Sequence, residues 1–334
     1  MNLKDFNYEL PQDLIAQHPA RRRDDARLMV IDRARQKITH DIFRNIGQYL
    51  PANSLIVLNN SKVVPARLLG KRQKTGGQVE IFLLKKIDAN RYEALLKPLK
   101  KIKIEEPLEF PGGVIAYLED KERRIVRFNK RNLENYLSRI GHMPLPPYIN
   151  REDNARDRKE YQTVYARNPG SVASPTAGLH FTRTLLTGLK KAGHAVVPVT
   201  LHINYGTFKP VESEDITAHP MHWEDYRMSP AAFARVRRAK EQGTKIVAIG
   251  TTSCRVLETI AQNGQLAGIT NLFIYSGFSF KMIDCLITNF HLPMSTLLML
   301  VYAFGGMGLM NKAYEEAIRQ RYRFYSYGDA MLII

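Results

Sequence analysis

Short apolar runs in the second half of the chain alternate with segments of helical character. The runs at 196–203, 246–249 and 285–287 have the length and β-branched content of buried strands. Helical segments between them begin at residues that favour helix N-caps, such as Thr182 and Ser229. This alternation predicts an α/β fold, here an α/β/α sandwich with a mostly parallel sheet.

The same pattern predicts further elements. Strands are expected at 54–58, 272–275 and 330–334. The uncharged segment 292–310 is broken by proline and glycines, and its continuous apolar part is far shorter than the ~20 residues that cross a bilayer. We therefore expect a buried helix there, ended by a glycine pair, and no membrane segment.

The pattern changes between residues 63 and 129, where short strand-like runs are separated by turn signals such as 75–77 and 111–113. Strands at this spacing are typical of a small antiparallel β-barrel. The proline-rich segment 144–148 then marks a boundary. The expected domains are an α/β sandwich (catalytic) domain from residues 1–60 and 151–334, and an inserted β-barrel domain from residues 61–150.

Composition adds a strong positive charge, since 49 Lys and Arg face 32 Asp and Glu for a formal net charge of +17. A surplus of this size favours an anionic partner, which is nucleic acid, an anionic membrane or a phosphorylated substrate. Cys254 and Cys285 each lie beside an apolar run and are expected as reduced core thiols. With no signal-peptide pattern at the N-terminus, a cytoplasmic protein is expected.

The loop 170–182 consists mainly of small residues and hydroxyls, contains His180, and leads into a helix. Small residues let a ligand approach the main chain, and N–H groups at a helix start can receive an anion. A tight turn whose hydroxyls bond only their own backbone is the alternative. Polar residues also follow the predicted strands at 200–208, 250–255 and 288–291, where α/β folds bind ligands. Together these segments favour a pocket.

Common cofactor signatures are missing from the sequence, which contains neither a dinucleotide fingerprint, nor a P-loop, nor a Gly-x-Ser-x-Gly. His219 and His222 with Glu224 offer possible metal ligands, but a third ligand of obvious placement is lacking. A structural or substrate-facing role is favoured over a metal site. Basic residues cluster at 319–323 beside aromatic residues, which suits unpaired RNA bases, although such clusters are usually solvated helix faces.

Motifs spread nearly end to end carry a family resemblance. They lie at 64–68, 144–149, 161–166, 170–182, 206–208, 250–253, 288–293, 322–324 and 326–331. In this order they resemble the S-adenosylmethionine:tRNA ribosyltransferase-isomerases of queuosine biosynthesis. The chain departs from the family pattern at Asn60, where an aspartate is usual, and at Met294, where a lysine is common, with smaller changes at Ser174 and Cys254.

The resemblance implies a monomeric enzyme with an α/β sandwich and an inserted β-barrel. Such an enzyme transfers and isomerises the ribosyl group of S-adenosylmethionine onto 7-aminomethyl-7-deazaguanine at the tRNA wobble position. Epoxyqueuosine forms, and adenine and methionine leave. S-adenosylmethionine is then the ribosyl-donor substrate, and neither a metal nor another cofactor is expected. A non-catalytic tRNA-binding protein and a methyltransferase remain alternatives.

The reaction needs a base beside the sulfonium and an acid at the departing adenine, and histidine suits both near neutral pH. We expect His180 as the base, His202 or His291 at adenine, and Asp329 orienting the amine or a histidine. Arg255 is expected to pair with the methionine carboxylate or with Glu258. The expected substrate-binding residues are Arg67, Ser174, Thr176, Gly206, Thr207, Thr251, Ser253, Arg255, Thr288 and Asn289. The expected tRNA-binding residues are Arg319, Arg321, Arg323 and Tyr325.

Overall fold

The structure is a computed structural model that describes residues 1–208, 211 and 213–334, with only the backbone described at 207 and 208. The strands are β1 Arg27–Asp32, β2 Lys37–Ile42, β3 Leu55–Asn59, β4 Ser61–Val63, β5 Arg67–Arg72, β6 Gln78–Lys86, β7 Arg91–Lys97, β8 Leu108–Phe110, β9 Val114–Asp120, β10 Ile125–Phe128, β11 Asn168–Ser171, β12 Ala195–Leu201, β13 Glu224–Arg227, β14 Ile246–Ile249, β15 Ala267–Thr270, β16 Cys285–Asn289 and β17 Ala330–Ile333.

The α-helices are α1 Glu134–Ile140, α2 Asp157–Glu160, α3 Arg183–Lys191, α4 Pro230–Glu241, α5 Gly250–Asn263, α6 Thr296–Gly305 and α7 Met307–Arg319. Short 3-10 helices lie at Leu3–Phe6, Gln12–Leu14, Arg23–Asp25, Phe43–Gln48, Leu99–Lys101, Thr176–His180, Tyr205–Phe208 and Ile216–Ala218. The chain forms two compact units. The first contains residues 1–62, 146–151 and 160–334, and the second contains residues 63–145 and 152–159.

The described part of the first unit contains a nine-stranded sheet in the order β15-β13-β12-β3-β14-β16-β17-β1-β2. Its centre is parallel, because β12, β3, β14 and β16 all run the same way. β17 pairs antiparallel with β16 and parallel with β1, and the outermost pairs are antiparallel. The α/β class, with a large sheet built around parallel strands, is thereby confirmed.

Both faces of the central strands are buried, as expected for parallel strands covered by helices. In β14, Ile246 and Ala248 belong to one apolar cluster, and Val247 and Ile249 belong to the other. The first cluster includes residues of α4, α5, α6 and α7, whereas Leu189 of α3 lies in the second. Alternate side chains of one strand therefore stabilise opposite layers.

Two helix starts show why the sequence folds locally as it does. The Thr182 hydroxyl accepts the N–H of Leu185 at 3.1 Å, and the Ser229 hydroxyl accepts the N–H of Ala232 at 3.2 Å. Both side chains satisfy N–H groups that the first helical turn leaves unpaired. The N-caps predicted for α3 and α4 are confirmed.

The apolar segment after β16 forms the buried helix α6, as predicted. Its N-cap is Ser295, whose hydroxyl accepts the N–H of Leu298 at 3.2 Å, and it ends at Gly305. Gly306 has φ of +83°, which glycine adopts without strain, and α7 follows it directly. Within the described part of the chain, every helix is too short or too polar to span a bilayer.

The strand predicted at 272–275 is wrong. Residues 272–275, all of them described, form no strand, and the strand in this region is β15. The Thr270 hydroxyl accepts the N–H of Leu272 at 3.1 Å, which turns the backbone out of the sheet. The apolar side chains that suggested a strand pack against the core instead, with Ile274 fully inside it.

The second unit is a separate antiparallel sheet, as predicted. Its strands pair in the order β10-β7-β6-β5-β8-β9, and β9 also pairs with β10. Alternation of buried and exposed residues along β7 gives this sheet one apolar face. Arg72 and Glu106 form a partly buried ion pair in this unit, with Nε and Oε1 2.8 Å apart.

Candidate active site

A cavity of about 680 Å³, partly open to solvent, lies at the carboxyl ends of β14 and β16. The parallel strands end at one edge of the sheet, and β17 begins there because Asn289 pairs with Ala330. Segments distant in sequence therefore meet at this edge, as the rule for α/β sheets predicts. The polar residues in its lining are Tyr148, Ser174, Thr176, Thr251, Thr252, Thr288, Asn289, His291, Ser295, Tyr325 and Ser326.

Two polar atoms of this cavity have no hydrogen-bond partner among the described residues. They are Ser174 Oγ and Asn289 Oδ1, on side chains whose residues are 4% and 1% exposed. A buried polar atom left without a partner costs about 1–3 kcal/mol. Such groups call for an explanation, and a ligand that bonds to both atoms supplies one.

The N-terminus of α5 forms another wall of the cavity. Gly250 begins the helix with φ of +83°, and the N-cap residue Ile249 provides no side-chain cap. Thr251 and Thr252 line the cavity in the first turn. Backbone N–H groups of an uncapped first turn, with two hydroxyls beside them, can donate to a polar or anionic ligand.

Asn289 is held by His180, which does not itself line the cavity. The Asn289 Nδ2 lies 3.0 Å from His180 Nε2. Because an amide nitrogen only donates, Nε2 must accept, and the imidazole is neutral. Burial, and then the charges of Arg323 and Arg23, lower the pKa of His180 to about 3. His180 therefore contacts a residue of the cavity lining, Asn289, without lining the cavity itself.

His291 is the histidine that lines the cavity. Its Nε2 lies 2.7 Å from Thr288 Oγ1, and its backbone N–H donates to Tyr314 Oη at 3.1 Å. The Tyr8 hydroxyl donates to its carbonyl oxygen. Burial lowers the pKa of His291 to about 3, so the ring is neutral at physiological pH.

Ser253 does not take the substrate-facing place expected for it. The hydroxyl is fully buried and donates to the carbonyl oxygen of Ile249, one turn earlier, at 2.7 Å. That bond consumes its donor within the helix. The expectation for Thr207 falls on a side chain outside the described part of the structure.

His202 lies away from the cavity, in a groove with Thr200, Asp225 and Tyr226. Burial lowers the pKa of His202. His202 follows the end of β12, which pairs with β13 on one side and β3 on the other, and it is the next residue, Ile203, that lines the first cavity. His202 is thus not brought together with His180 and His291.

The carboxylate of Asp329 is hydrogen-bonded to backbone N–H groups. Its two carboxylate oxygens accept the N–H groups of Arg27 at 2.9 Å and Arg323 at 2.7 Å, and burial raises its pKa. Its own carbonyl oxygen accepts Asn289 Nδ2 at 3.4 Å. Asp329 fixes the turn into β17 and holds Asn289, and it does not line the cavity.

The expected pairing of Arg255 with Glu258 is wrong. Arg255 forms a buried ion pair with Glu224, and Glu258 instead accepts the backbone N–H groups of Lys281 and Met282, each at 2.9 Å. Glu258 is nearer to Arg255 in sequence, about one helical turn along α5. Glu224, the first residue of β13, is the acid that pairs with Arg255 in the structure. Gly206 and Arg255 line a second cavity of the first unit.

A family model described as queuosine biosynthesis protein matches residues 3–333. The chain belongs to this family. Relatives named S-adenosylmethionine:tRNA ribosyltransferase-isomerase are 47% identical in a Sulfurihydrogenibium species and 49% identical in Carboxydothermus hydrogenoformans, with full coverage of both chains. The crystal structure of S-adenosylmethionine tRNA ribosyltransferase from Thermotoga maritima is similar with a TM-score of 0.58. It is 37% identical and covers 99% of this chain and 100% of its own.

The structure shows the surroundings of Asn60 and Met294, two positions at which the resemblance led us to expect a departure from the family pattern. Asn60 Oδ1 accepts Asn168 Nδ2 at 3.0 Å and Thr200 Oγ1 at 2.7 Å, so the amide supplies an acceptor that an aspartate also supplies. Met294 has φ of +54°, a strained conformation for a residue with a side chain, one residue before the N-cap of α6.

The basic residues expected at tRNA divide between two environments. Arg319 and Arg321 have side chains 74% and 69% exposed, and they pair with Glu316 and Asp13. Arg323 is 37% exposed and donates to His18 O at 3.3 Å. Tyr325 instead lines the cavity with φ of +70°. Its backbone strain is of the kind that clusters at functional sites.

The structure also gives the positions of Arg67, Tyr148, Thr252 and Ser326. Arg67 belongs to the second unit, where its Nε lies 3.0 Å from Glu80 Oε1. Tyr148 and Ser326 line the cavity with hydroxyls 2.6 Å apart, and Thr252 also lines it. The Pro-Pro-Tyr sequence at 146–148 is the feature of the sequence that could have pointed to Tyr148 as a site residue. Burial raises the pKa of the Tyr148 hydroxyl. Within the described residues, no group of three or more His, Cys, Asp or Glu is arranged for a metal ion.

Proposed function

We propose that this chain is an S-adenosylmethionine:tRNA ribosyltransferase-isomerase. It transfers and isomerises the ribosyl moiety of S-adenosylmethionine onto 7-aminomethyl-7-deazaguanine at the tRNA wobble position. The products are epoxyqueuosine-tRNA, adenine and methionine. Membership of the queuosine biosynthesis family supports this, as do relatives at 47% and 49% identity that carry the enzyme's name.

The single observation that carries the proposal is the pair of buried, unpartnered atoms Ser174 Oγ and Asn289 Oδ1 in one cavity. A hydroxyl can donate or accept, and an amide oxygen accepts, so the two together suit ribose hydroxyls. Thr176, Thr251 and Thr288 add hydroxyls around them. The sulfonium nucleoside therefore places its ribose in this cavity.

The positive sulfur acidifies the adjacent carbon, and a base must remove its proton. His291 takes this role in the proposal, because among the described residues it is the histidine that lines the cavity. His180 serves as a positioning residue that fixes the Asn289 amide. His202 and Asp329, which do not line the cavity, have no direct part in this scheme.

We also assign roles to the two units and to the exposed arginines. The first unit is the catalytic α/β sandwich, and the second is an inserted β-barrel whose ring of strand pairings supports that description. The enzyme acts as a cytoplasmic monomer without a metal or organic cofactor, as the family resemblance implies. The exposed Arg319 and Arg321 contact tRNA phosphates, in keeping with the net charge of +17.

The test is product analysis after incubation with S-adenosylmethionine and tRNA carrying the aminomethyl base. The proposal expects adenine and methionine in equal amounts, and a tRNA base that has gained the ribosyl-derived group. A methyltransferase would release S-adenosylhomocysteine and no adenine. A non-catalytic tRNA-binding protein would retain the tRNA and release neither. Each alternative therefore leaves a different small-molecule product.

A further inference from the structure

A second cavity adjoins the first one within the same unit. We call it the Arg255 cavity. Leu297 lines both cavities, so they share a wall. The charged groups Arg255 and Glu224 line the Arg255 cavity together with His219, His222, Thr296 and apolar residues that include Leu272, Phe273, Leu297 and Leu300. A largely apolar pocket with a few polar groups is the kind of site that orients a small polar ligand.

The guanidinium of Arg255 is incompletely satisfied. Its Nε donates to the carbonyl oxygen of Leu272 at 3.1 Å, and its Nη1 pairs with Glu224. Its Nη2 is buried and has no hydrogen-bond partner among the described residues, in a side chain only 7% exposed. A buried charged donor without an acceptor is unfavourable, and a carboxylate from a ligand would remove that cost.

Glu224 supplies the complementary charge. It is 3% exposed, and its Oε1 accepts the backbone N–H of Asn204 at 3.1 Å. A buried carboxylate beside a buried guanidinium is complementary to a group that carries both charges, which is an α-amino acid zwitterion. The apolar wall fits the short aliphatic chain that such a group carries.

We propose that the Arg255 cavity binds the amino-acid end of the sulfonium nucleoside, with the α-carboxylate on Arg255 Nη2 and the α-ammonium at Glu224. This inference rests on the proposed function, because it takes S-adenosylmethionine as the ligand. The ribose lies in the first cavity, and the chain passes along Leu297. The Arg255–Glu224 pair then favours binding of ribosyl-donor substrates that carry both the α-carboxylate and the α-ammonium group.

Calorimetric titration with two ligands tests this. The first is S-adenosylmethionine, and the second is its decarboxylated analogue, which keeps the sulfonium, ribose and amine. A charge-assisted hydrogen bond to Arg255 Nη2 is worth a factor of roughly 10 to 100 in affinity. The wild-type protein is expected to bind the analogue more weakly by that factor, whereas equal dissociation constants would overturn the proposal.

Two variants locate the effect. Arg255→Lys keeps a charge for Glu224 but loses the Nη2 donor, and it should reduce the ratio of the two dissociation constants to about 1–3. The double variant Arg255→Met with Glu224→Met replaces the buried pair by apolar groups, which protein interiors often tolerate, and should give the same low ratio. A full wild-type ratio in either folded variant would overturn the assignment.

A matched control replaces a partly buried arginine–glutamate pair of the second unit, Arg72→Met with Glu106→Met. This control should keep the wild-type ratio, which shows that losing an arginine–glutamate pair is not by itself enough to lower the ratio. Binding is measured without turnover, so the two hypotheses fail separately. Failure of the proposed function appears as no adenine release at all, and failure of this inference as equal binding of both ligands.

Discussion

Asn289 Nδ2 lies 3.0 Å from His180 Nε2, so a histidine behind the cavity wall holds an amide that lines the cavity. The amide also reaches the carbonyl oxygens of Tyr325 at 3.3 Å and Asp329 at 3.4 Å. These contacts direct both Nδ2 hydrogens into the protein and leave Oδ1 without a described partner. The orientation of the Asn289 amide is thus set by groups that include His180 and Asp329, which do not line the cavity.

His180→Ala is expected to lower the rate of adenine release by about 100-fold, because the Asn289 amide loses its fixed orientation. His180→Gln, whose side-chain oxygen can still accept from Nδ2, should recover part of that loss. Single-turnover assays with saturating tRNA measure both rates. Equal rates in the alanine and glutamine variants would show that the hydrogen bond to Asn289 is not what matters, and a direct catalytic role would then be required.

His291→Ala should retain the fold and lower adenine release by about 100- to 10,000-fold, the usual contribution of a general acid or base. The matched control is His194→Gln. His194 bonds Ser54 Oγ at 2.8 Å and does not line the cavity, so this variant should keep its activity. Normal adenine release by folded His291→Ala would remove this histidine from the mechanism.

Ser174→Ala and Ser253→Ala separate a cavity hydroxyl from a structural one. Ser174→Ala should weaken binding of S-adenosylmethionine about 5- to 10-fold without lowering the melting temperature, because it removes a buried hydroxyl that has no described partner. Ser253→Ala should leave affinity within about 2-fold, because its hydroxyl bonds Ile249. Titration calorimetry and thermal melts measure both, and the reverse order of affinities would contradict the assignment.

Stability should fall as the pH drops from 7 to 5. The folded pKa values of His180 and His291 are about 3, below their ordinary 6.5, so the unfolded chain binds protons that the folded chain does not. The contribution of these two histidines to the free energy of unfolding is fully present above pH 6.5 and is lost as the pH falls toward 3. The slope approaches ~1.4 kcal/mol per pH unit for each histidine. Urea unfolding across this range measures it.

His180→Gln should make that slope shallower by the share of one histidine. An unchanged slope in this variant would show that His180 is protonated to the same extent in the folded and unfolded states. Lowered carboxyl pKa values, such as that of Asp41, act below this pH window and do not disturb the comparison.

The sequence predicted most reliably what local chemistry decides. Thr182 and Ser229 cap their helices because a hydroxyl next to unpaired N–H groups needs no distant partner. The apolar content of residues 272–275 matches that of a strand, whereas the hydrogen bond from the Leu272 N–H to the Thr270 hydroxyl turns the chain away from the sheet.

The sequence predicts some residues of the candidate site but not which side chains line the cavity. Family motifs indicated Ser174, Thr251 and Asn289, which do line one cavity. Which histidine faces that cavity depends on tertiary packing. His180 and His291 both follow suggestive patterns, but only His291 lines it. Arg255 illustrates the same limit, because its partner Glu224 comes from a strand 31 residues earlier.

The most direct measurement is a crystal structure of the protein with S-adenosylmethionine bound. The account predicts the ribose hydroxyls within hydrogen-bonding distance of Ser174 Oγ and Asn289 Oδ1, and His291 facing the carbon beside the sulfonium. Nucleoside density anywhere outside this cavity, with Ser174 and Asn289 still unpartnered, would contradict it.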